Sequence, residues 1–209
     1  MLLKSLFDNR EFDRVVNLRT HSDSDDVDQV SLVLLSRILL GQRRSQTVTD
    51  AAPKSTSGSP SPILDASLLR INAESVYARY SDDSVITYLY ALVLKSAGEP
   101  VSIVAELLLK AIRLENYNWA AWVELAGLPV SPTYVVQLQQ HELYKFYAME
   151  RLKHERKFKQ LLALIEGAST LSGWGYIEEA RGLCLHELRE FDEAVRVYSL
   201  MAARYVEGG

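Results

Sequence analysis

Trp119-Ala120-Ala121-Trp122-Val123-Glu124-Leu125-Ala126 is the stretch on which the reading of this chain turns. Its apolar residues recur at helical spacing. The helix they form must end by Leu128, because Pro129 and Pro132 lack the backbone N–H that a helix interior needs. Trp122 stands 34 residues after Tyr88, which sits in a second segment of the same kind. Ala126 supplies a small residue next to Leu125, where two helices of a pair approach closely and a larger side chain would clash. Helix, short turn and helix at this period are the signature of a stacked repeat.

Working outward, the C-terminal pair matches best. Gly182-x-x-Leu185 gives the small and apolar residues of a first helix, and twelve residues after Gly182 come Ala194 and then Tyr198 at the A-x-x-x-[FY] spacing of a second helix. Phe191 stands at the turn between them. The pair around Phe146 and Leu162 is weaker, with Lys159 where a small residue is expected. Further helices are predicted over 63–80, 85–96 after the capping run Ser81–Ser84, and 101–114 after the turn Gly98-Glu99-Pro100. A helix from Asp28 is predicted to stop at Gly41, a residue suited to a left-handed C-terminal cap. Leu2 to Leu18 reads as two short helices broken at Asp8-Asn9-Arg10-Glu11. The fold class is therefore all-α, a tetratricopeptide-like right-handed superhelix of antiparallel helix pairs, in a single domain over 1–209. Residues 45–62, rich in Ser, Thr, Pro, Gly and Ala without apolar period, read as a flexible low-complexity insertion.

The composition narrows the function. The 209 residues carry 23 Lys plus Arg against 27 Asp plus Glu, a formal charge of −4, which opposes a phosphate-binding surface and so nucleic acid. No apolar run approaches the roughly 18 residues of a membrane span, and the apolar start Met1–Phe7 is too short for a secretory signal, so a soluble, intracellular protein is expected. Cys184 reads as a small core residue. His21, His141, His154 and His186 lack metal-ligand spacing, and Gly173-Trp174-Gly175 lacks the lysine of a phosphate loop. Arg151, Lys153, Arg156, Lys157 and Lys159 read as a solvated basic face. No catalytic, metal or cofactor site is expected, and the chain is not read as an enzyme.

The first helices of such an array line its inner wall. Projecting the repeat register places Ile86, Leu89, Val93, Val123, Tyr144, Ala148, Tyr176 and Leu183 there, mostly apolar or aromatic. A wall that grips a terminal carboxylate presents Lys, Arg and Asn instead, which weighs against the alternative of a peptide receptor or cochaperone module binding client tails. An apolar groove favours an apolar helix. The N-terminal segment bearing Leu2, Leu3, Leu6 and Phe7 supplies one, so a twofold homodimer is expected, with each N-terminal helix in its partner's groove; the competing arrangement has that segment cap its own array.

Three stretches carry a more specific likeness: Leu2-Leu3-Lys4-Ser5-Leu6-Phe7-Asp8-Asn9-Arg10-Glu11-Phe12-Asp13-Arg14, Tyr88-Leu89-Tyr90-Ala91-Leu92-Val93-Leu94 and Trp119-Ala120-Ala121-Trp122-Val123-Glu124-Leu125. With them the chain resembles the N-terminal half of subunit eight of the anaphase-promoting complex, from Leu2 to Tyr205 apart from the insertion. The resemblance implies a non-catalytic scaffold in a multisubunit ubiquitin ligase that drives exit from mitosis, acting in nucleus and cytoplasm. It also implies homodimerisation through N-terminal repeats and contacts with other subunits of the complex. The family's longer repeat array leads us to expect an N-terminal fragment. Ser59-Pro60 and Ser61-Pro62 in the insertion, and Ser131-Pro132, carry the minimal signature of proline-directed phosphorylation, which would add roughly 1.5–2 negative charges at each serine.

Overall fold

The computed structural model describes residues 2–19, 26–50, 62–167 and 174–207. It is all-α and tetratricopeptide-like, with no strand among the described residues. The expected single domain, 1–209, comprises two compact units, Met1–Val130 and Ser131–Gly209.

The first unit runs through α1 (Leu2–Asp8), α2 (Phe12–Arg19), α3 (Val27–Asp50), α4 (Pro62–Arg79), α5 (Ser84–Ser96), α6 (Val101–Leu114) and α7 (Trp119–Ala126). Gly41 does not end α3, which continues to Asp50. A glycine inside a helix costs about 1 kcal/mol but leaves every backbone hydrogen bond in place, so it weakens a helix without stopping it. Of the expected insertion, 45–50 therefore belongs to α3, residues 51–61 lie outside the described residues, and Pro62 opens α4.

The 34-residue period appears as a physical link. Asp83 caps α5 by accepting from the Ile86 N–H at 2.8 Å. Ser84 donates to the Ala111 carbonyl at 2.9 Å, and Asn118 donates to the Ser84 hydroxyl at 2.8 Å while its own carbonyl caps α7 at the Ala121 N–H. One buried hydroxyl thus ties the start of α5 to the end of α6 and to the start of α7, with Ser84 and Asn118 34 positions apart. Lys95 and Glu124 pair at 2.7 Å between α5 and α7, near the surface. Trp122 fills the space between the helices completely buried, its indole N–H donating to the Asn116 carbonyl at 2.9 Å. After α7 the prolines act as expected, and two short 3-10 turns follow, Pro132–Tyr134 and Val136–Leu138.

The second unit contains α8 (Tyr144–His154), α9 (Phe158–Gly167), α10 (Gly175–Glu187) and α11 (Phe191–Glu207). Met149, Leu161, Ile165, Ile177, Ala180 and Cys184 form one core, and Leu185, Ala194 and Val197 a second. The small residue demanded at position 182 has a visible cause: a Cβ on Gly182 would lie 2.6 Å from the Tyr198 ring.

Four helix pairs close with the same turn. The N–H groups of Glu11, Glu99, Lys157 and Glu190 reach back to the carbonyls of Leu6, Leu94, Leu152 and Leu185 at 2.8–3.1 Å. The preceding residue in each turn is left-handed: Arg10 at φ 60°, Gly98 at 76°, Arg156 at 56° and Arg189 at 66°. This is the Schellman closure, for which glycine is the unstrained residue. Arg189→Gly is accordingly expected to stabilise the protein by about 0.5–1 kcal/mol, and Gly98→Ala to destabilise it by about 1 kcal/mol. Urea denaturation of the two variants checks the opposite signs.

Candidate interaction surface

The structure redistributes the residues projected onto the inner wall. Ile86, Leu89 and Val93 are buried, and Leu89 and Val93 pack with Leu34 and Ile38 of α3 and Ala73 of α4. The apolar stripe of α5 is thus spent on the preceding helix pair, so these three residues do not line an open groove. Val123 in the first unit, and Tyr144, Ala148, Tyr176 and Leu183 in the second, remain half-buried. On α1, Leu6 is buried against Val15 and Val33, with Leu3 and Phe7 packed beside it, so this helix caps its own array. Leu2, one turn before Leu6, is turned outward and 63% exposed. Ser59 and Ser61 lie outside the described residues.

Two apolar faces escaped the sequence reading. On α4, Leu68 and Ile71 are exposed, Ile71 at 63%, on the side away from the buried Ala73. On α11, Phe191, Val195 and Tyr198 are exposed at helical spacing beside the core-facing Ala194 and Val197. The signal was present, since both helices carry apolar residues around more of their circumference than one core face requires.

The polar chemistry of the second unit is structural. Glu150, only 8% exposed, accepts from the Tyr176 hydroxyl at 2.6 Å and from the Lys153 ammonium at 2.7 Å. Burial, and then this carboxylate, hold the Tyr176 phenol well above its ordinary range. Most of the basic run is neutralised locally: Arg151 and Lys157 each meet Glu155 at 2.7 Å, and Arg156 meets Glu187 at 3.5 Å. Hydrogen bonding from Lys157 and Arg151 lowers the Glu155 carboxyl in turn. The Cys184 thiol is buried, and desolvation pushes it up to about 11, so little thiolate forms near neutrality. His141 accepts from the Leu143 N–H at 3.1 Å, His154 and His186 are exposed, and His21 lies outside the described residues. Among the described residues, no group of three or more His, Cys, Asp or Glu is placed to hold a metal ion. No described helix is long and apolar enough to cross a membrane.

The arrangement offers apolar helix faces and locally paired charges, which suit it to holding other polypeptides. No curated protein matches the chain. The family model of anaphase promoting complex subunit 8 / Cdc23 matches residues 1–165, well over half of the 209, and the chain belongs to that family.

Proposed function

We propose that this chain is a non-catalytic scaffold within the anaphase-promoting complex, a multisubunit ubiquitin ligase, and that its N-terminal helices mediate homodimerisation. The observation that carries the dimer is the exposure of Leu2 on a helix whose other apolar residues are already anchored. Because α1 caps its own array, it presents Leu2 to a second copy as part of a preformed surface instead of leaving its array to insert. The exposed Leu68 and Ile71 of α4 add apolar area in the same unit. Contacts with other subunits of the complex, in nucleus and cytoplasm, accompany this role.

Light scattering at tens of micromolar tests it, with a wild type of twice the chain mass expected. Leu2→Glu is the informative variant, since an acidic residue in the first turn suits the helix dipole and leaves Leu6 and its core partners alone. An interface leucine contributes about 1.5–3 kcal/mol, and twofold symmetry counts it twice, so dimer affinity should fall on the order of a hundredfold or more. A monomeric wild type overturns the dimer while leaving family membership intact.

A further inference from the structure

Three aromatic rings of the second unit gather at the start of α10. Trp174, the residue just before that helix, stacks on Phe146 of α8 with ring centroids 5.9 Å apart and planes 23° from parallel. Phe146 in turn makes an edge contact with Tyr176 at 5.6 Å. Phe146 and Tyr176 are half-buried, whereas Trp174 is 56% exposed. One face of the indole is thus spent on Phe146 and the other is turned to water. We propose that this shelf docks an arginine side chain of a partner polypeptide, its guanidinium lying on the open face of Trp174 and pairing with Glu178.

The indole attracts cations over its face more strongly than any other side-chain ring. Glu178 stands one turn beyond Trp174, its N–H donating to the Trp174 carbonyl at 3.0 Å, so both residues project from the same side of α10. It is half-buried, where a carboxylate is screened less than at the surface. It also offsets the partial positive charge of the helix N-terminus, which alone would oppose a cation. Exposed Glu142 and Glu179 extend the negative field, and the charge of Glu179 reaches Tyr176, whose phenol is raised by burial, then Glu150, then Glu179. Of the cations nearby, Lys153 is already neutralised by Glu150 at 2.7 Å. Lys145 points about 100° around α8 from Phe146, and exposed Arg181 lies about two turns along α10 from Trp174. The cluster already holds one cation in this manner, with the Lys153 ammonium 5.1 Å from the centre of the Tyr176 ring. Arginine fits the open face better than lysine, because a planar guanidinium can lie flat on the indole and still direct N–H groups sideways to a carboxylate. A nucleobase would stack on the same ring, but its phosphates would then meet these carboxylates.

The full chain is titrated with acetyl-Ala-Ala-Arg-Ala-Ala-amide while nitrogen–proton correlation spectra follow the indole N–H signals of Trp119, Trp122 and Trp174. Trp174→Leu identifies the third signal by its loss. A saturable shift confined to Trp174 is expected, with a dissociation constant of about 1–5 mM for so small a probe. Binding should weaken about tenfold when citrulline, uncharged but of the same shape, replaces the arginine. It should weaken about threefold with lysine in that place, and by a similar factor in Glu178→Gln, whose fold circular dichroism confirms. A Trp174 signal unmoved at about 20 mM peptide overturns the proposal. So does equal binding of the citrulline peptide, which would make the contact mere stacking, and so does a shift produced by oligothymidylate but not by the peptide. Equal binding of the lysine peptide overturns the assignment to arginine, and an unaffected Glu178→Gln overturns the pairing. The peptide comparisons use the wild type alone, so they decide the matter even if a variant misfolds.

Discussion

Replacing Trp122 with alanine lowers the stability of the first unit by about 3–5 kcal/mol, the range for removing a large aromatic from a core. The indole is fully buried, and its loss opens a cavity that α5, α6 and α7 cannot close without breaking the tie between Ser84, Ala111 and Asn118. The indole's hydrogen bond to Asn116 contributes little of this, because Asn116 is exposed and water can replace the donor. Urea unfolding followed by far-ultraviolet circular dichroism reads the change without relying on the missing fluorophore. A loss below about 1 kcal/mol would place Trp122 outside the packed interior.

In the second unit the largest polar effect is expected at Glu150. Glu150→Ala removes the acceptor shared by the Tyr176 hydroxyl and the Lys153 ammonium, and should cost roughly 2–3 kcal/mol, the scale of hydrogen bonds to a charged group. Tyr176→Phe leaves Glu150 with Lys153 and should cost only about 1 kcal/mol. Because the residues share one hydrogen bond, the double variant should lose less than the sum. Alkali provides a second readout. The folded phenol sits above its unfolded value near pH 10, so its stabilisation is fully present below that pH and is lost as pH rises beyond it. The slope is at most about 1.4 kcal/mol per pH unit. Phenolate absorbance should show Tyr176 ionising only with unfolding in the wild type, and earlier in Glu150→Ala.

Much of the fold was legible because its signals are local. Asp83 as a cap, Gly98-Glu99-Pro100 as a turn and Pro129 as a stop each act within a few residues, and each appears where its chemistry predicts. The 34-residue spacing of Tyr88 and Trp122 carried the repeat, although the hydrogen bond that enforces it, between Ser84 and Asn118, was not foreseen. The weak pair around Phe146 and Leu162 closes with the same left-handed turn as its neighbours, and its clue was written as Arg156-Lys157-Phe158 beside Arg10-Glu11-Phe12 and Arg189-Glu190-Phe191. The interaction surface was far less legible. Periodicity shows that Ile86, Leu89 and Val93 share a face, but Leu89 and Val93 are buried against Leu34 and Ile38, some fifty residues earlier. The same limit hid Glu150, whose burial and partner depend on Tyr176, 26 positions away.

The shared Leu-to-Glu or Leu-to-Lys closure has a kinetic consequence. Each turn is sealed by a bond spanning five residues, so bringing two helices together carries almost no loop-closure penalty and contact order within a pair is low. A pair of this kind can begin to form while later chain is still being synthesised. The nascent polypeptide can bury Leu6 against Val15 once α1 and α2 have emerged, and needs α3 only to add Val33. Assembly within each unit then proceeds by accretion, each new hairpin settling on one already shaped.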